Sequence, residues 1–195
     1  MKAALAVLLV AAACARPAPP APADLPRAVS VLPPANRTGD ALLVAGASLL
    51  EQYALRTDRV TVPDVVASEA RVQLARHGFT VTPADEVDGA TTGRAPGSAA
   101  AAAEIASRAK LPGLALYLEI RGWEPDAPTH PSFVLVGMVA SLVDPATGHV
   151  VWTGERRTAP VATPGEVALG SAYVTAARKV TEELLARLAP GRGAS

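Results

Sequence analysis

Cysteine is almost missing from this 195-residue chain, which has one. A lone thiol excludes an intramolecular disulfide and any cysteine-rich zinc site. Aromatic residues are scarce, 4% overall, with two Trp, three Tyr and two Phe, so a core has to come from Ala, Val and Leu. An excess of either charge is also lacking, since 18 Lys+Arg balance 18 Asp+Glu. Without a basic face to collect phosphates, nucleic acid is not an expected partner. No apolar run reaches the roughly 20 residues of a membrane-spanning helix. Apolar residues are nonetheless plentiful, half of the chain, with a mean hydropathy of +0.25. That argues against intrinsic disorder, and the length fits one domain of roughly 100–200 residues with a tail.

The single cysteine is explained by what precedes it. Met1-Lys2 leads into an unbroken run of Ala, Leu and Val over residues 3–13, and then Cys14. One positive charge, a short apolar core and small residues at its end are the parts of a secretory signal peptide, residues 1–13. The run Ala11-Ala12-Ala13-Cys14 resembles a bacterial lipobox, in which the cysteine is acylated and becomes the new N-terminus. Ala11 departs from the Leu usual there. The alternative is a plain signal peptide cut after an Ala, with Cys14 incidental. Lipidation is the favoured reading, because the chain's only Cys falls at the one useful place. Cleavage there removes only Lys2 among the charges and leaves a net charge of −1. Several acyl chains on one cysteine anchor stably, since each buried methylene contributes about 0.8 kcal/mol and one chain alone is marginal. Ala15 rather than Asp after the cysteine resembles the outer-membrane default of Gram-negative lipoproteins. Residues 14–27 are dense in proline, which fixes φ and removes donors, so they read as an extended tether.

From Ala28 the chain reads as one α/β (α+β) domain, residues 28–189, followed by a disordered tail, residues 190–195. Residues 28–32 form a short buried strand stopped by Pro33-Pro34. Residues 41–55 are apolar and ambiguous, with a helix ending near Tyr53 as one reading. Thr61, Pro63 and Asp64 open a helix whose stripe is Val62, Val66, Ala70 and Leu74, with Gly78 placed to end it. Residues 79–82 are a second strand. Residues 85–97, rich in glycine, read as an exposed loop, and Ser98 caps a helix running to Lys110. Residues 114–120 and 133–144 are strands, and Asp144-Pro145-Ala146-Thr147-Gly148 is a tight hairpin into residues 149–153. Thr163-Pro164-Gly165-Glu166 matches a capping box for a last helix with the face Leu169, Tyr173, Ala176, Val180, Leu184 and Leu188. The expected fold is a mixed sheet with an antiparallel hairpin, packed against three or so helices.

No chemistry stands out. His77, His130 and His149 lack the spacing of metal ligands, so neither a metal nor any other cofactor is expected. Ser48 lacks the second glycine of a nucleophile elbow. Asp85-Glu86 and Glu182-Glu183 read as solvated faces. Trp123 and Trp152 carry two readings: large core residues in an aromatic-poor domain, or, if exposed side by side, a partner-binding patch.

The lipobox, the proline tether, the opening strand Val29-Ser30-Val31-Leu32-Pro33-Pro34 with Asn36, and the hairpin from Leu142 through Trp152 together resemble a group of bacterial envelope lipoproteins. That group includes the curli-secretion lipoprotein and the lipoprotein activator of a penicillin-binding protein. The resemblance implies a fold similar to the anticodon-binding α/β domain and transfers no catalytic residue. The chain lacks the extra alternating hairpin of pore-forming members, which argues against a pore. The anchor, the tether and the lack of any catalytic constellation point to a non-enzymatic outer-membrane lipoprotein facing the periplasm, whose tethered domain binds and regulates or assembles an envelope complex. A peptidoglycan synthase or secretion machinery would be the partner. The alternative is an accessory scaffold that forms a homo-oligomer, and a hydrolase using Ser48 is a distant third.

Overall fold

The structure is a computed structural model, and it describes residues 25–44 and 60–188. The signal peptide, Cys14, most of the tether, Ser48, the greater part of the ambiguous segment 41–55 and the tail lie outside the described residues.

Among the described residues six strands and four helices follow one another as β1 (Ala28–Val31), β2 (Ala35–Asn36), α1 (Val62–Arg76), β3 (Thr80–Val81), α2 (Ala84–Thr91), α3 (Ala99–Arg108), β4 (Leu114–Pro125), β5 (Phe133–Val143), β6 (Val150–Ala162) and α4 (Leu169–Leu185). A 3₁₀ turn, Ala186–Leu188, closes the order. They build one mixed sheet in the order β3-β1-β4-β5-β6, with β2 alongside β4. β1 lies parallel to both β3 and β4, whereas β4, β5 and β6 run antiparallel. β1 and β2 act as one strand interrupted by Pro33-Pro34. Val31 pairs with Leu116 and Ala35 with Glu119, and the two prolines between them have no N–H to give the ladder.

The alternation of the strands sets two cores of unequal size. Leu114, Leu116, Leu118 and Ile120 of β4 and Val134, Val136, Met138, Ala140 and Leu142 of β5 are all buried toward α1 and α4. Burial of each such Val, Leu, Ile or Met contributes about 1.5–3 kcal/mol, so this face carries most of the stability. On the opposite face Ala115 and Tyr117 meet Leu32, Val87, Ala102, Ala106 and Leu111 in a smaller cluster. α3 packs there through alanines, which explains how a helix with Ile105 as its one large apolar residue comes to lie against a sheet. Ser98 caps it, its Oγ accepting the Ala101 N–H at 3.1 Å.

The helix start at Thr61 is as expected in place and altered in detail. The Asp64 carboxylate accepts both the Thr61 N–H (2.8 Å) and the Thr61 hydroxyl (2.6 Å), so the carboxylate does the capping. The hairpin closes with Gly148 at φ +73, and Asp144 Oδ1 and Oδ2 accept from the Ala146 N–H and the Thr147 hydroxyl.

Two expectations fail. Residues 85–97 are not a loop throughout, because α2 occupies Ala84–Thr91. Val87 and Thr91, one turn apart, are buried, Asp85 and Glu86 sit in the first turn, and the helix ends at Thr92 in the left-handed region. One large apolar residue carries this helix, and tertiary burial supplies what periodicity does not show. The last helix begins at Leu169 rather than at the apparent box. Thr163 is fully buried with its hydroxyl donating to the Pro131 carbonyl at 2.9 Å, and Gly165 takes φ +80, so neither residue serves a helix start. The expected apolar face of that helix is otherwise present, from Tyr173 to Leu188.

Candidate functional site

Among the described residues, helices cover the sheet fully on one side only. α2 and α3 cover the β1 and β4 end of the other side. Past Tyr117 the same face of β4 carries Glu119 and Arg121, and neighbouring β5 and β6 add half-buried Val139 and exposed Thr153 and Glu155. This open half-face is the candidate site, and its geometry follows from strand alternation. Ala115 and Tyr117 lie under the helices, while Glu119, two residues on, is the first side chain beyond them.

A chain of polar contacts crosses this face. The Arg37 guanidinium, carried on the loop after β2, donates to the Gly97 carbonyl at 2.5 Å and reaches the Tyr117 hydroxyl at 3.4 Å. The Tyr117 hydroxyl donates to Glu119 Oε2 at 3.0 Å, and Arg121 Nε–H donates to Glu119 Oε1 at 2.7 Å. Arg121 then extends over β5 to Glu155 on β6 at 3.9 Å. The ladder shifts register between Ile120 and Gly122, which places Arg121 at the shift, as bulges do where a side chain is re-aimed. Beside it Gly122 and Gly137 lie under Thr158, whose hydroxyl oxygen occupies the space a Cβ on Gly137 would need, 2.5 Å away.

Arg121 is the main cause holding the Glu119 carboxylate below the usual range; the Tyr117 hydroxyl and Arg37 act the same way, and partial burial opposes them. Burial pushes the Tyr117 hydroxyl up. A carboxylate whose folded value is depressed stabilises the fold fully above the ordinary glutamate range. That contribution is lost as pH falls through the folded value. Glu119→Gln is therefore expected to flatten the acid side of the stability–pH profile and to cost about 1 kcal/mol at neutral pH. An acid limb identical in wild type and variant would contradict this.

The residues singled out from sequence are distributed otherwise. Trp123 and Trp152 are each 4% exposed and sit in the large core. Trp123 meets Tyr173 edge-on at 5.9 Å and 88°, and the Trp152 ring lies against Gly154. The core reading holds, and the docking-patch reading has no exposed ring to rest on. His77 caps the C-terminus of α1, His130 lies before β5 and His149 leaves the hairpin. Among the described residues no group of three His, Cys, Asp or Glu is placed to hold a metal. Asp85-Glu86 and Glu182-Glu183 are exposed, and Glu183 pairs with Arg156 across α4 and β6. Arg37, Tyr117, Glu119 and Arg121 were not singled out from sequence. The signal was the alternation Ala115, Tyr117, Glu119, Arg121 within one strand, whose second face turns from apolar to charged midway.

No family model matches the sequence, and no curated protein does. Among solved structures the chain is similar to the lipoprotein GNA1162 from Neisseria meningitidis, with 18% identity, 72% of this chain and 87% of that one covered, and a TM-score of 0.49. It is similar to the PelC dodecamer from Paraburkholderia phytofirmans, with 17% identity, coverage of 89% and 93%, and a TM-score of 0.46. It is also similar to E. coli LpoB, with 19% identity, coverage of 69% and 57%, and a TM-score of 0.42. At such identities and scores these neighbours transfer no family, activity or partner to this chain.

Proposed function

We propose that this chain is a non-enzymatic cell-envelope lipoprotein, acylated on Cys14 and held at the outer membrane, whose tethered domain faces the periplasm. There it binds and regulates, or helps assemble, an envelope protein complex such as a peptidoglycan synthase or a secretion apparatus. The observation that carries this reading is the half-covered sheet, a flat face whose charged side chains are already held by one another. Arg37, Tyr117, Glu119 and Arg121 are joined by hydrogen bonds before any partner arrives, so docking orders little that is loose. Both charge signs alternate across the face, which suits a protein surface better than a polyanion. The lipobox-like run and the proline tether supply the anchor and a reach on the order of 30–35 Å at roughly 3.1 Å per residue.

A photo-crosslinker at Arg121 or Thr153, used in intact cells, is expected to capture an envelope protein, while one at Val72, exposed on α1, captures none. Adducts at Val72 alone, or none at any position, would count against the reading. One observation favours a homo-oligomeric scaffold instead: among the described residues β6, 13 residues long, pairs with a strand on one side only and ends the sheet. Long free edges are templates for pairing. A strictly monomeric mass for the full chain in solution removes that alternative.

A further inference from the structure

A cleft of about 400 Å³ lies away from the open sheet face, walled by Pro33, Pro34, Pro63 and Ala67, with Arg71 and Asp88 also lining it. Its position follows from the topology. β1 and β3 are parallel neighbours, yet β1 leads to α1 on one face of the sheet and β3 leads to α2 on the other. Open α/β sheets hold ligands beyond the carboxyl ends of strands, at the point where neighbouring connections part to opposite faces. The volume falls within the range of small-molecule sites, roughly 300–1,000 Å³.

The polar groups in this cleft are poorly used by the fold. Arg71 presents five N–H donors, and its one hydrogen bond among the described residues is a 3.5 Å contact to the Val31 carbonyl. Its Nε is buried without a partner. Burial pulls the guanidinium below its ordinary value while the charge of Asp88 pulls it back, and it stays protonated. Two carboxylates share the cleft. Asp64 spends one oxygen, Oδ2, on Thr61, and the Asp88 residue is exposed at the rim. A bare anion would meet Arg71 but be repelled by both acids. A bare cation would be repelled by Arg71.

From this arrangement we infer that the cleft binds a small zwitterion, an amino acid or short peptide, with its carboxylate on Arg71 and its ammonium between Asp64 and Asp88. The proline and alanine walls accept a small apolar side chain between the two charges. A planar guanidinium with spare donors matches a carboxylate in a bidentate pair. This assignment is independent of the protein-binding face.

Titrating the ¹⁵N-labelled full chain with the dipeptide Ala-Ala tests it. The Arg71 Nε–H and Gly93 amide signals are expected to shift saturably, with a Kd of about 10 mM or tighter. Amidating the dipeptide's carboxylate abolishes the shift, and acetylating its amine weakens binding about tenfold, as loss of a charged hydrogen bond does. Arg71→Met, which keeps the aliphatic stem, removes binding. Asp88→Asn, at an exposed position that does not threaten folding, weakens Ala-Ala about tenfold, whereas N-acetyl-Ala-Ala, freed of one repelling carboxylate, binds no more weakly than before. The inference is overturned by absence of any saturable shift, by the same Gly93 amide shift in Arg71→Met, or by inorganic phosphate binding as tightly as the dipeptide.

Discussion

Gly113→Ala is expected to destabilise the domain by about 3–5 kcal/mol, a large share of the roughly 5–15 kcal/mol that holds a folded domain together. Gly113 is the hinge between the loop after α3 and the start of β4, and its φ of +69 lies in the region that costs any other residue strain. Space is the larger obstacle. A Cβ built there would sit 2.1 Å from the Ala28 carbonyl oxygen and 2.6 Å from the Ala28 Cβ. Ala28 is the first residue of β1, and the next pair along, Val29 with Leu114, begins the parallel ladder. The variant must therefore push β1 off β4 at the junction that holds the parallel and antiparallel halves of the sheet together. Gly148→Ala is the control. It has a similar φ, +73, but nothing within 4 Å of the added atom, so it is expected to cost about 1 kcal/mol through backbone strain alone. Equal losses at the two positions, measured by urea unfolding, would show that the β1–β4 contact is not what fixes Gly113.

The second large effect separates the two readings of the tryptophans. Trp123→Ala and Trp152→Ala are each expected to lower stability by about 3–5 kcal/mol, because each removes a large buried ring and leaves a cavity. Phenylalanine behaves differently. Neither indole Nε1 has a hydrogen-bond partner among the described residues, and both are buried. Trp→Phe therefore removes an unsatisfied donor along with some volume, and the two changes offset so that the loss stays near 1 kcal/mol. A residue acting as a partner anchor would give the opposite pattern, with little change in stability on truncation to Ala and a large loss of crosslinked partner. Thermal melts and partner capture on the same four variants decide it.

Much of the fold is legible in the sequence where local chemistry decides the outcome. Asp144, Pro145 and Gly148 each have one comfortable place in a hairpin, and the structure puts them there. The stripe Val62, Val66, Ala70 and Leu74 is buried along α1 as spacing predicts. Legibility ends where a local rule competes with a distant contact. Thr163 fits a cap by its neighbours, but Pro131, 32 residues away, takes its hydroxyl. α2 has Val87 and little else to announce it, since its remaining burial is polar, through Thr91. The open face shows a similar limit. The change from Tyr117 to Glu119 and Arg121 is visible in β4, but that this change coincides with the boundary of helix cover depends on where α2 and α3 come to rest. The cleft at Arg71 joins residues from four segments between Pro33 and Ala95, and no local motif unites them.

The central claim is that a membrane anchor on Cys14 presents this domain to a partner in the envelope. Metabolic labelling with radioactive palmitate, comparing wild type with Cys14→Ala and followed by membrane fractionation, tests it most directly. The account predicts label in the wild type, retained in a larger uncleaved precursor under globomycin, and an unlabelled Cys14→Ala protein that leaves the membrane fraction. Equal labelling of both proteins, or an unlabelled wild type released like the variant, would contradict it.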